Sequence, residues 1–196
     1  MAAELSRSQN GWPASPDASA IGIVTVKVPV KNGTASVQVS SKVAHIFEHL
    51  IKWFDDNIEP VKPGETGGYN YRPIRGYEDQ GILSNHASGT AIDINSVAHF
   101  LGKENTFPPE QMKMLSAKAK ALGLRWGGDY TGRKDEMHFE VDFSPNDKTA
   151  IANRAGFSSG SSNALPWVFA GVITLAIGGT VWYYRDELRE KLRPNG

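Results

Sequence analysis

With 196 residues the chain has room for one well-buried domain and an appendage, but not for two full domains. Its 21 Lys and Arg balance its 21 Asp and Glu, so no overall field favours nucleic acid, and no nucleic-acid partner is expected. Cysteine is absent, which excludes disulfides, thiolate metal sites and a cysteine nucleophile, and leaves His, Asp and Glu to hold any metal.

Residues 1–20, MAAELSRSQNGWPASPDASA, have no basic start followed by an apolar run, so they read as a flexible lead rather than a signal peptide. From Ile21 to Ser40 two valine-rich runs flank Asn32-Gly33, which predicts a hairpin with its turn at that pair. Ser40 or Ser41 can cap a helix from about Lys42 to Ile58, in which Val43, Ile46, Phe47, Leu50, Ile51, Phe54 and Ile58 recur at helical spacing. Residues 60–90 are rich in Gly, Pro, Tyr and Asn and form a long loop of the kind that carries function. AIDIN, Ala91 to Asn95, reads as a short strand with Ala91, Asp93 and Asn95 on one side. A helix follows, with Pro109 at its start, Met112, Leu115, Ala119 and Leu122 on one face and Gly123 closing it. MHFEVDF is again a strand, with His138, Glu140 and Asp142 sharing a side. Hairpin, helix, strand, helix, strand predicts an α+β domain over residues 21–157.

Two histidine groups compete for attention. His45-Ile46-Phe47-Glu48-His49 has the spacing H-x-x-E-H, one of the ways a helix presents two histidines and a carboxylate to zinc. The helix phase places His45 and His49 roughly opposite the apolar stripe, beside Lys52 and Asp56, which predicts a pair facing water rather than a cleft. In the second group, His86 lies in a loop, Asp93 seven residues on in a strand, and His138 at the start of the later strand. If the two strands are neighbours, these three make a His2Asp set with a fourth position open; otherwise Asp93 is a cap and His138 a core residue.

Three ordered motifs carry a resemblance. Ser84, His86, Gly89, Ala91 and Asp93 give S-x-H-x-x-G-x-A-x-D, Trp126 to Asp129 give W-G-G-D, and Asp135 to Glu140 give D-x-x-H-F-E. Together they resemble the zinc D-alanyl-D-alanine carboxypeptidase and L-alanyl-D-glutamate endopeptidase family, peptidoglycan peptidases that include phage endolysins. The resemblance extends over roughly residues 46–143 and implies a small antiparallel sheet with flanking helices, of the Hedgehog and DD-peptidase kind. It implies zinc held by His86, Asp93 and His138, with Asp135 as the catalytic base and hydrolysis by a zinc-bound water. It also implies an upstream arginine on the substrate carbonyl, for which Arg72 fits the family's context better than Arg75; the alternative is that either one pairs with Glu78 or Asp79.

Carboxypeptidase members more often have Glu where this chain has Asp135, so the resemblance favours an L-alanyl-D-glutamate endopeptidase acting on wall stem peptides. A D-alanyl-D-alanine carboxypeptidase and a non-catalytic, zinc-stabilised module gripping wall peptide or protein are the alternatives. Ser84 and Asn85 are expected to orient His86 from behind. Trp126 either walls the substrate groove or belongs to the core, and Glu140 is either a supporting acid or exposed. His99 reads as structural.

Beyond a flexible linker at residues 158–164, Leu165 to Tyr184 carry no charge over twenty residues. A helix of that length spans roughly 30 Å, the hydrocarbon thickness of a bilayer, and Trp167, Trp182, Tyr183 and Tyr184 sit where interfacial aromatics belong. The expectation is a single-pass membrane helix at 165–184 followed by a charged tail at 185–196. Arg185, Arg189, Lys191 and Arg193 favour a cytoplasmic tail with the domain outside, whereas a late apolar segment inserts as a tail anchor with the domain inside. A phage or prophage enzyme would reach the wall by another route. Ala170, Thr174 and Gly178 recur every four residues, a pattern that pairs membrane helices into a homodimer.

Overall fold

The computed structural model describes residues 5–153. In chain order the elements are β1 (Ser6–Arg7), β2 (Pro13–Ala14), β3 (Ile23–Val30), β4 (Gly33–Ser40), α1 (Ala44–Asn57), β5 (Ala91–Asp93), α2 (Pro109–Ala121), β6 (Leu124–Trp126), β7 (His138–Val141) and α3 (Lys148–Asn153). Three small antiparallel sheets result, β1-β2, β3-β4 and β5-β7-β6, so the class is α+β. The expected linker at 158–164, membrane helix at 165–184, tail at 185–196 and the helix-mediated pairing lie outside the described residues. Among the described residues no helix is long and apolar enough to cross a membrane.

The β3-β4 hairpin pairs Val30 with Gly33, so its turn is Lys31-Asn32, one residue before the expected pair, and Gly33 opens β4 with φ 120°. Strand alternation sends Val26, Val28, Ala35, Val37 and Val39 to one face, where all are buried. Against that face α1 buries Ile46, Phe47, Leu50, Ile51 and Phe54. The helix begins two residues later than expected and has Val43 at its N-cap, with no side-chain cap. Such a loss costs about 1 kcal/mol. Burying five large apolar side chains contributes on the order of 10 kcal/mol, so packing decides the matter.

Asp55, fully buried on α1, accepts the Lys31 N–H at 3.0 Å and the Val61 N–H at 2.9 Å, joining the hairpin turn to the chain leaving the helix. Beside it on α1, Phe54 meets Phe139 of β7 edge-on at 6.5 Å, which ties α1 to the three-stranded sheet. α2 follows its expected phase, with Leu115, Ala119 and Leu122 buried and Gly123 in the left-handed region. β6 is three residues long and shows no legible alternation in the sequence, yet it completes the sheet by pairing Leu124 with Val141 and Trp126 with Phe139.

Two expectations are corrected. The N-terminal segment is no flexible lead from Ser6 onward: β1 pairs with β2, Trp12 is 2 % exposed, and its indole N–H donates to Phe143 O at 2.8 Å. One buried tryptophan and the paired backbone hold a segment whose composition is otherwise that of a loop. The His45 and His49 face is not open to water either. Both histidines are half-buried, and Lys118 of α2 brings Nζ to 2.8 Å from His49 Nε2 while lying 5.3 Å above the Trp53 ring. Helix phase locates the apolar stripe correctly but is blind to a neighbouring helix on the other side.

Candidate metal centre and its cleft

The turn that carries His86 is set by its ends. Ser84 caps it by accepting the His86 N–H at 3.3 Å, and Gly89 closes it at φ 67°, its N–H donating to His86 O and its carbonyl accepting the Ser40 N–H at 2.8 Å. A Cβ at Gly89 would stand 2.7 Å from Ser40 N and strain the left-handed backbone, so glycine is needed on both counts. Two residues later β5 begins. Its antiparallel register places Asp93 directly across from His138 on β7, which meets the condition set by the sequence for a joint site.

Three donor atoms converge. His138 Nδ1 is 2.9 Å from Asp93 Oδ1, His86 Nε2 is 3.2 Å from the same oxygen, and the two ring nitrogens are 3.2 Å apart. The far nitrogen of each ring has its role fixed from behind. His86 Nδ1 donates to Gly68 O at 2.7 Å, and His138 Nε2 donates to Glu140 Oε2 at 3.3 Å. With their outer nitrogens so engaged, the two rings turn their inner nitrogens, together with a carboxylate oxygen, toward one point, an arrangement suited to a cation. A proton can bridge only one pair of these atoms, whereas a divalent ion serves all three.

The electrostatics agree with that reading. Burial pushes the Asp93 carboxyl up, but the neighbouring charge of His86 and the hydrogen bonds from both histidines outweigh it and hold the group far below the usual carboxylate range. Burial pulls His138 down, while its hydrogen bonds to Asp93 and Glu140 push it up to about 10, so the site attracts positive charge strongly. The separations of 2.9 to 3.2 Å compare with ligand edges of about 3.3 Å around a tetrahedral zinc with bonds of ~2.0–2.1 Å. His86, Asp93 and His138 thus fit zinc by donor type and spacing, and they are the group of potential metal ligands found among the described residues.

Glu140 turns out to be buried and heavily engaged. Asn85 Nδ2 donates to its Oε2, while Arg125 Nε at 2.6 Å and the Tyr130 hydroxyl at 2.8 Å donate to its Oε1. Burial pushes its carboxyl up, yet the His138 hydrogen bond and charge, with Arg125, hold it well below the usual range. Asn85 in turn accepts the Asn10 N–H at 2.9 Å, so a chain of contacts runs from the N-terminal segment to His138. Ser84 and Asn85 both stand behind the three donors, Ser84 through the His86 turn and Asn85 through Glu140 rather than through His86. Arg125, Tyr130 and Asn10 were missed. Arg125 sits on the strand that left no pattern, and a polar residue in a coil has no periodicity to betray it.

A cleft of about 590 Å³ opens over the three donors, and Asp135, Arg72 and Arg75 line it together with His86 and His138. Asp135 sits on the turn before β7, with its N–H donating to Gly127 O at 3.1 Å and its carbonyl accepting from His138 N at 3.0 Å. A Cβ at Gly127 would stand 2.2 Å from Asp135 O, which explains the glycine after Trp126. Asp135 Oδ1 is buried with no hydrogen-bond partner among the described residues. Burial raises this carboxyl to about 6, with Asp93 adding to the shift and the nearby histidines opposing it.

Arg72 is half-buried. Its Nη1 donates to Pro73 O at 3.0 Å, and its Nε is buried without a partner among the described residues. Burial first and then the charge of Arg75 lower its hold on its proton, while Asp93 and Asp135 oppose them. Trp126 does not wall the cleft: it is 1 % exposed, stacks on Phe139 at 6.4 Å and donates its indole N–H to Glu136 O at 2.8 Å. It supports the turn carrying Asp135 from within the core. His99 is a core residue, 3.8 Å from the Phe107 ring and paired with Glu59 at 3.0 Å.

Comparison with known proteins finds similarities in the part of the chain that carries this site. Residues 78–141 match the profile of the family described as D-alanyl-D-alanine carboxypeptidase. The L-alanyl-D-glutamate peptidase of Listeria phage A118 is 26% identical over 100 residues, a match covering 48% of this chain and 34% of the relative. Both matches agree with the resemblance carried by the three motifs: residues 78–141 are similar to this family of peptidoglycan peptidases. The match takes in only about a third of that relative's length. No solved structure gives a significant match.

Proposed function

We propose that the domain is a zinc-dependent peptidase that cleaves peptidoglycan stem peptides in an endolysin-like role, with the bond between L-alanine and D-glutamate as its target. The observation that carries the proposal is the convergence of His86 Nε2, His138 Nδ1 and Asp93 Oδ1 beneath a cleft that also holds a partnerless carboxylate and a half-buried guanidinium. His86, Asp93 and His138 would hold the ion, which when bound supplies Lewis-acid polarisation of the scissile carbonyl and makes water a better nucleophile near neutral pH.

The remaining work falls to the chain itself. Asp135 Oδ1 takes a proton from the attacking water and passes it to the leaving amine, a role suited to a carboxyl raised to about 6 that has no hydrogen bond to give up. Arg72 donates to the carbonyl oxygen as negative charge builds on it, and its half-buried position strengthens that interaction. Glu140 keeps the His138 ring in the orientation that turns Nδ1 toward Asp93. Asp rather than Glu at position 135 and the similarity to a phage L-alanyl-D-glutamate peptidase both support endopeptidase over carboxypeptidase action.

The test is incubation of the full chain with purified peptidoglycan and zinc, followed by mass spectrometry of the new termini. New L-alanine carboxyl and D-glutamate amino ends are expected. Released D-alanine would reassign the enzyme as a carboxypeptidase, and the absence of any product would favour a binding module.

A further inference from the structure

The cleft carries more positive charge than hydrolysis requires. Arg72, Arg75, Arg125 and Arg133 all line it. Arg125 is taken up by Glu140. Among the acids in the same lining, Glu140 is held by Arg125 and Asp129 accepts from Ser116 Oγ at 2.8 Å, so Asp135 is the lining acid left to face Arg72 and Arg133. Glu78, on the Arg75 loop, accepts the Gly76 N–H at Oε2 at 2.9 Å, and its charge also acts on Arg72 and Arg133.

Arg75 and Arg133 are neighbours at the rim. Arg133 lies across Gly76 and Gly102 and donates Nη2 to the Arg75 carbonyl at 2.7 Å, which fixes the two loops to each other. Both side chains are exposed, and the Arg75 guanidinium makes no hydrogen bond or ion pair among the described residues. Arg75 also repels the half-buried Arg72. Like charges crowded at the mouth of a cleft, in excess of the acids around them among the described residues, are the mark of a place where a ligand brings a further anion.

We propose that Arg75 and Arg133 form a carboxylate subsite that reads a free carboxylate on the substrate residue following the scissile bond, while Arg72 faces the carbonyl. This rests on the peptidase reading of the same cleft. A stem-peptide glutamate that continues the chain through its side-chain carboxyl leaves its α-carboxylate free beside the bond to alanine. Amidation of that carboxylate removes the charge and one acceptor but changes the shape little. The subsite therefore makes the enzyme selective for the free acid over the amide, and Arg75 acts in selectivity rather than on the carbonyl.

Two synthetic stem peptides that differ only in α-carboxylate or α-carboxamide at the second residue test this. The wild type is expected to favour the carboxylate by roughly tenfold in kcat/KM, mostly through KM, with the preference shrinking as salt is raised. Arg75→Gln and Arg133→Gln should each bring the ratio of the two substrates toward one, and Arg75→Lys should keep part of it. Equal rates on the two peptides in the wild type would overturn the subsite, as would a ratio untouched in both Gln variants. An equal fall on both substrates in Arg75→Gln would also overturn it, because that is the behaviour of the arginine on the carbonyl. If neither peptide is cleaved, the peptidase reading falls and the subsite is judged by calorimetric binding of the same pair. Tighter, Arg75-dependent binding of the carboxylate peptide would sustain it, and equal binding would sink it.

Discussion

His45 and His49 stand one helical turn apart on α1, while His86 and His138 come from a turn and a strand fifty-two residues apart. The first pair has the spacing of a zinc motif and the second has none, yet only the second gathers donors. Near the helix pair Lys118 comes 2.8 Å from His49 while Glu48 acts on His45, so a cation beside the rings opposes that carboxylate and disfavours a metal. Near the second pair the charges are Asp93 and Glu140, one among the donors and one behind them. Spacing along one helix can present two rings, but a metal needs a third donor and acceptors that fix the rings, and here only strand pairing brings these together.

The sharpest way to break this comparison is to remove one histidine from each group. His138→Ala should reduce bound zinc, measured by elemental analysis, from about one per chain to background, and abolish peptide release with it. Replacing His45 and His49 together by alanine should leave the zinc content unchanged. Zinc retained in the first variant and lost in the second would reverse the assignment.

Asp135→Asn should come next in size. Zinc stays, because Asp135 contributes no donor atom to the converging set, and peptide release falls by about 10²–10⁴-fold. The base must be ionised to act, so the wild-type rate should rise with pH through the ionisation of Asp135, at about 6 or lower once a cation is near. The variant should lose that acid limb. A limb of the same midpoint surviving in Asp135→Asn would assign the base to another group.

The sequence yielded the elements with strong periods and the residues fixed by their own local turn. The α1 stripe, the valine alternation of the hairpin, the α2 face and the His86 turn with its capping Ser84 and Gly89 were all legible. What escaped was whatever depends on a distant neighbour. Three-residue β6 has too few positions for an alternation, and with it went Arg125. Trp12 looked like a loop residue because its partner, Phe143, lies 131 positions away. Lys118 covers the α1 histidines from another helix, and Glu140 could not be told from an exposed strand residue until Asn85, Arg125 and Tyr130 closed around it.

Glu140→Gln tests the acceptors behind the rings. An amide can still meet His138 Nε2 through its oxygen, but it carries no charge to strengthen the ring as a ligand. Zinc affinity, measured by competition with a chelator, should weaken by about 10–100-fold while the fold is kept. Unchanged affinity would mean that Asp93 and the backbone geometry orient His138 without help.

The smallest effect belongs to His49 and turns the comparison around. Burial and the charge of Lys118 both disfavour the imidazolium and pull His49 down to about 4, well below its value of ~6.5 in an unfolded chain. A histidine whose folded value is depressed contributes its stability in full above the unfolded value and loses it as pH falls toward the folded one. With metal removed by chelator from both proteins, the wild type should lose on the order of 1 kcal/mol more than His49→Gln between pH 6.5 and 4, seen as an extra fall in Tm of about 2–4 °C. The discount from the full shift reflects a ring only half-buried. Equal pH dependence in the two proteins would show that neither burial nor Lys118 holds this ring neutral. A difference of the expected sign would mean that a helix with zinc-like spacing holds its histidine neutral by burial and a neighbouring lysine, whereas the β5-β7 site collects positive charge.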